Sequence, residues 1–179
     1  MRKLVVTEFV SLDGVMEAPG GEPGYAHTGW VERYFDEALG ACRLEEQLAA
    51  DILLLGRVTY ESFYGAWPTR EGEMADKINT MTKYVVSSTL DASDWHDTHV
   101  IGFDRVNELE GNVLVVGSRT LVHGLLDAGL VDELSVQVFP VVLGSGARLY
   151  PESPDRLDLS LVGSQTTAAG VLLNRYVVG

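Results

Sequence analysis

Three separate stretches of this chain pass from an unbroken apolar run into a small, hydroxyl-bearing or arginine-containing turn, and then into a helix or loop. They are ILLLGRVTYESF (52–63), YVVSSTL (84–90) and VLVVGSRTLVHGLLDAG (113–129). A strand that is apolar at every position needs cover on both faces, which is the pattern of a parallel sheet held between helices. In such a sheet the strand C-termini share one edge, and ligands bind in the crevice along it. The three turns are therefore expected to meet at a common crevice. Their recurring Gly, Ser, Thr and Arg suit a phosphate-bearing cofactor.

At 179 residues the chain is expected to form one domain with a substantial core. Its net charge of −13 argues against a nucleic-acid partner, whose backbone needs clustered Lys and Arg. Arg57, Lys83, Arg119 and Arg148 remain as local cations for a smaller anion. The single cysteine, Cys42, permits no intrachain disulfide, fits a reducing compartment and falls in a helical pattern as a structural thiol. No apolar stretch of signal-peptide length opens the sequence, and no window approaches the ~20 apolar residues of a membrane span. A cytoplasmic protein without membrane contact is expected.

Residues 3–10 (KLVVTEFV) read as a buried first strand that SLDG (11–14) breaks. Pro19, Gly20, Gly21, Pro23, Gly24 and Gly29 make residues 15–29 a long loop, of the kind that often carries function. A helix is predicted from Trp30 to Ala49, a short strand over 52–55, helices over 57–64 and 71–82, and strands over 83–87, 98–101 and 113–116. Residues 118–128 read as a helix that Gly129 terminates. The last third turns to β structure, with Pro140 marking a strand end and Gly170 turning an antiparallel hairpin within 157–178.

The candidate chemistry lies at the strand ends. Gly117 permits close backbone approach. Ser118 and Thr120 open a helix whose free N–H groups favour an anion, and Arg119 adds a forked donor. Gly56, Arg57 and Thr59 repeat the arrangement, and Ser87 and Ser88 bring hydroxyls to a third end. Taken singly, each is equally an ordinary helix cap or turn; their joint occurrence favours shared phosphate binding. Asp13, after the first strand, would face the same crevice or simply form an Asp-Gly turn. Glu8 points inward or away according to register. Asp36 would reach the crevice only if its helix faced it. The four histidines, His27, His96, His99 and His123, show no metal-ligand spacing, and no GxSxG elbow is present.

SLDG (11–14), LLLGRVTYESF (53–63), VVSSTL (85–90), VVGSRTLVHGLLDAGLVDEL (115–134) and FPVVLGSGARLY (139–150) together resemble the dihydrofolate-reductase-like superfamily. The likeness is strongest to the reductase domain of the bifunctional riboflavin-biosynthesis deaminase-reductase and its stand-alone relatives, and it covers almost the whole chain. The resemblance implies an α/β fold with a mixed, mainly parallel eight-stranded sheet flanked by helices and an antiparallel C-terminal hairpin. It implies an NADPH-dependent reductase acting on a small heterocyclic or sugar-derived substrate, the nearest named one being 5-amino-6-(5-phosphoribosylamino)uracil. It places Gly56, Arg57 and Thr59 at the cofactor phosphates, Ser87 and Ser88 near the 2′-phosphate, and Gly117, Ser118, Arg119 and Thr120 around the pyrophosphate. Asp13, the expected catalytic residue, would sit with Gly14 beside nicotinamide and substrate, there to orient substrate hydroxyls or relay a proton, with water an alternative proton donor, and Gly144, Ser145 and Gly146 would close the substrate pocket. The zinc-binding H-x-E and P-C-x-x-C signatures are missing, so deamination is excluded. Folate reduction and a non-catalytic nucleotide-binding role on the same fold remain alternatives. The apolar C-terminal strands, 134–143 and 171–178, at a sheet edge that needs cover, suggest a homodimer.

Overall fold

Strands and helices alternate through the first two thirds of the chain. β1 (Lys3–Ser11) leads to α1 (Glu37–Ala49), β2 (Ile52–Gly56), α2 (Arg57–Ala66), α3 (Glu73–Thr80), β3 (Thr82–Val86), β4 (Thr98–Ile101), β5 (Asn112–Val115) and α4 (Arg119–Asp127). Three strands follow, β6 (Glu133–Phe139), β7 (Leu159–Thr166) and β8 (Leu172–Val178). The structure, a computed structural model, describes residues 2–150, 152 and 156–179.

The strands form one sheet in the order β4-β3-β2-β5-β1-β6-β8-β7. The six strands from β4 to β6 are parallel, and β8 and β7 add the antiparallel edge. The expected mixed sheet with a C-terminal hairpin is therefore present.

Alternation along β2 explains its continuous hydrophobicity. Leu53 and Leu55 pack with Tyr60 of α2 and Ile78 of α3, while Leu54 packs with Leu121, Val122 and Leu125 of α4. All five residues of β2 are buried, and each leucine so covered contributes about 1.5–3 kcal/mol. Helices thus lie on both faces of the parallel region. After β1 the chain leaves toward α1, which lies beside α3; after β5 it leaves toward α4 on the other face. β1 and β5 are neighbours, so their diverging connections open a crevice between their C-terminal ends.

Two boundaries differ from the sequence reading. The helix predicted from Trp30 starts at Glu37, because Asp36 caps it: its Oδ1 accepts the Leu39 N–H at 3.0 Å. Residues 32–34 form only a 3-10 turn. The helix predicted over 71–82 ends at Thr80, and Met81 is already extended (φ −69°, ψ 157°) on the way into β3. α4 closes as expected at Gly129 (φ +63°). The Leu130 and Gly129 N–H groups bond to the carbonyls of Leu125 and Leu126, the paired pattern that a left-handed glycine permits.

Candidate functional site

Over the C-terminal ends of β1 and β5 lies a cavity of about 650 Å3, within the usual size of a small-molecule site. Thr7, Glu8 and Phe9 of β1 form part of its lining, with Thr59, Ser62 and Phe63 of α2 and Gly117 to Thr120 at the start of α4. Residues of the 16–25 loop complete one wall.

The starts of α2 and α4 interlock. A Cβ on Gly56 would lie 2.2 Å from Ser118 Oγ, and one on Gly117 (φ +59°) would lie 2.5 Å from Thr59 Oγ1. Only glycine permits either approach, and Gly117 also needs the left-handed backbone. Neither helix has a side-chain cap or an acidic residue in its first turn. Two sets of unpaired helix N–H groups are thereby brought side by side, with the positive ends of two helix dipoles. Arg119 lines the cavity and forms no salt bridge among the described residues. This donor set fits a diphosphate.

Of the sequence-predicted residues, Thr59, Gly117, Ser118, Arg119 and Thr120 meet at this place, with Gly56 packed directly against Ser118. Arg57 lies outside the lining and pairs with Glu61 one turn along α2, at 2.7 Å. Ser87 and Ser88 follow β3, whose Val86 is in register with Gly56, so they adjoin the same sheet edge. Ser87 Oγ accepts the Thr89 and Leu90 N–H groups and shapes a turn there. From β1 through β5 and β2 to β3, strand ends spaced ~4.8 Å apart spread roughly 15 Å along that edge.

Asp13 is placed differently from a cavity acid. Its carboxylate accepts Ser11 Oγ at 2.6 Å, the Leu143 N–H at 3.1 Å and the Gly144 N–H at 2.8 Å. The Ser11 hydroxyl leads in holding it down at about 2, with the Leu143 and Gly144 amides adding to the effect. It ties the turn after β1 to residues 143–144 and is not part of the cavity lining. Gly14 and Gly144–Gly146 belong to the same clamp. Gly14 O accepts the Leu149 N–H, and Ser145 O accepts the Tyr25 hydroxyl at 2.7 Å. Gly146 (φ +119°) leaves no room for a side chain against Val15 and Tyr25. Together with the Glu17 carboxylate on the Ala147 N–H, at 2.6 Å, these bonds hold the loop that walls the cavity. Asp36 serves its helix and the Ala169 N–H, not the crevice.

Glu17 and Glu22 line the cavity from the loop, and Glu8, only 8% exposed, lines it from β1. Its Oε1 accepts the Gly117 N–H at 2.6 Å. Burial raises it to about 7, against the opposing pull of that N–H and of Arg43. Its one sequence signal is an acidic residue within a strand that reads as buried. Arg43, over the Phe9 ring at 4.9 Å, and Arg70, over the Trp67 ring at 4.6 Å, add cationic and aromatic surface to the walls. In sequence both look like ordinary charges of helix and loop.

The model of the RibD C-terminal domain matches residues 2–110 and 106–173. Among curated proteins, the uncharacterized protein YyaP of Bacillus subtilis is 27% identical over 183 residues, spanning 96% of this chain and 92% of its own. A putative riboflavin biosynthesis protein from Shewanella sp. PV-4 superposes with a TM-score of 0.74 at 18% identity, over 99% of each chain. The dihydrofolate reductase of Enterococcus faecalis, solved with NADP(H) and RAB-propyl, superposes with a TM-score of 0.62 at 15% identity, over 99% of this chain and 96% of its own. At such identities the structural matches show a shared fold.

Proposed function

The chain belongs to the RibD C-terminal domain family, and on that premise we propose that it is an NADPH-dependent reductase of a small heterocyclic or sugar-derived substrate. The observation that carries this reading is the pair of uncapped, acid-free helix starts interlocked through Gly56 and Gly117 beside a cavity of about 650 Å3. The family match supports the reductase class. The fold shared with a reductase solved with NADP(H) supports a nicotinamide cofactor. Riboflavin-type pyrimidine chemistry is the nearest substrate class that the family suggests.

In this reading Gly117, Ser118, Arg119, Thr120 and Thr59 hold the diphosphate, and Ser87 and Ser88 lie along the same edge for the adenosine end. When bound, the dihydronicotinamide supplies a hydride to a polarised double bond. The chain's own work is to orient both partners and keep water from them. The loop clamped by Asp13, Glu17 and Tyr25 provides one wall, and Phe9, Phe63 and Trp67 provide apolar surface. Asp13 acts as a positioning residue for that wall.

Calorimetric titration with NADPH and NADH tests the proposal. Arg119→Ala should weaken NADPH by about 1–3 kcal/mol, the scale of a lost charge-assisted hydrogen bond. Arg57→Ala should cost less, since that guanidinium already pairs with Glu61. No NADPH binding by the wild type, or an Arg119→Ala affinity equal to wild type, would sink the reading.

A further inference from the structure

We propose that Glu8 is the catalytic acid of this site, delivering a proton from its carboxyl group to the heteroatom of the double bond being reduced. The inference rests on the reductase reading above and adds to it the residue that completes the reaction.

A hydride adds to one end of a C=N or C=O bond, and the electron pair it displaces collects on nitrogen or oxygen. That atom needs a proton. Among the cavity-lining carboxylates, Glu17 and Glu22 stand half-buried on the loop wall, each with one oxygen holding a backbone N–H of Ala147 or Gly20. Glu8 alone rises from the strand that floors the crevice, at the junction of β1 with the start of α4. Only its Oε1 is engaged, by the Gly117 N–H, and Oε2 makes no hydrogen bond to the described residues. Among the described residues the buried side-chain polar atom without a partner is Gln137 Oε1, so the unbonded Glu8 Oε2 retains some exposure. The carboxyl is therefore held at one oxygen and open to the cavity at the other.

The fixed N–H bond sets the orientation of the group, as a positioned acid requires. Its surroundings set its protonation. Phe9, Met16, Phe63 and Val116 supply apolar wall, and burial holds the group near neutrality. The charged groups facing the same space are Arg43 from α1, Glu17 and Glu22 from the loop after β1, Arg70 from the segment after α2 and Arg119 from the start of α4. Arg43 draws the carboxyl partway back toward ionisation. A carboxyl balanced near pH 7 can both give up its proton in the reaction and regain one from solvent through the cavity mouth. The sum is one reduced cofactor and one proton consumed for each double bond reduced.

Glu8→Gln keeps the shape and an acceptor for the Gly117 N–H while removing the acid. An infrared titration of the cofactor-free protein should show a carboxyl deprotonating near pH 7 in the wild type and missing from Glu8→Gln. NADPH affinity should be within about twofold of wild type. With any carbonyl or imine acceptor that the wild type reduces, kcat should fall on the order of 100-fold, and the alkaline decline in rate should vanish. Glu8→Asp, one methylene shorter, should recover part of the rate and part of that decline. The assignment is overturned if Glu8 is ionised in the ordinary carboxylate range, or if Glu8→Gln keeps the wild-type kcat and pH profile while NADPH still binds. Failure of the wild type to bind NADPH would instead overturn the reductase reading and this assignment together.

Discussion

The Asp13 carboxylate, met by the Ser11 hydroxyl and two backbone N–H groups, titrates near 2, so the folded state favours its charged form. The linked stability is fully present above the unfolded value near 4 and is lost as pH falls through 2. Asp13→Asn should therefore lower the urea midpoint at pH 7, and the gap from wild type should close as pH is taken from about 4 toward 2. A gap constant with pH would count against the assigned hydrogen bonds. For Lys83 the folded state disfavours the charged form instead. Its side chain is fully buried, its Nζ donates to the carbonyls of Ile78 and Met81, and it sits 4.7 Å over the Trp95 ring. Burial lowers it to about 8, so the folded state binds fewer protons than the unfolded chain between about 8 and 10.5. Stability should rise with pH across that window. Chemical unfolding of wild type against Lys83→Met should show this rise in the wild type alone.

At the scale of elements, the site depends on two helices starting where two strands stop. Gly56 ends β2 and meets Ser118; Gly117 follows β5 and meets Thr59. Gly56→Ala would force Ser118 away, since the added methyl would meet its backbone N at 3.1 Å as well as its hydroxyl. Overpacking of this kind costs about 1–3 kcal/mol. Gly56→Ala should lower the thermal midpoint and weaken NADPH together, as read by calorimetry. An unchanged affinity would separate the interlock from cofactor binding. The loop wall belongs to the same scale. Tyr25, Glu17 and Asp13 each tie it to residues 143–147, so it is held by several bonds and not by its own sequence.

At the scale of the whole molecule, β4 and β7 are the two edges of the sheet, and β7 is the more exposed. Leu161 is 58% and Val162 56% exposed on it, and an unpaired strand with apolar side chains invites another chain. Residues 134–143 and 171–178, expected to meet a second copy, fall in β6 and β8 inside the sheet, so a second copy is proposed to pair along β7 instead. Light scattering should give a dimer for the wild type and a monomer for Leu161→Lys; a monomeric wild type would remove the expectation. Much of the fold was legible because its signals are local. The buried run Ile52–Leu55, the glycine after α4 and the hairpin turned at Gly170 each state their conformation within a few residues. The start of α1 was misplaced because apolar periodicity carries across residues 30–36, whereas the Asp36 cap is a matter of backbone geometry. In the site, the helix starts at Gly56 and Gly117 were readable as possible anion ligands, since glycine, hydroxyl and arginine announce that chemistry. Asp13 and Glu8 were not separable by sequence. One is satisfied by amides 130 residues away and the other faces a cavity beneath an N–H 109 residues away. The sequence by itself determined which segments become strands and helices and which residue types stand at their ends. Only the tertiary structure decided which carboxylate is buried at the crevice, because desolvation is set by neighbours that the chain brings together from far apart.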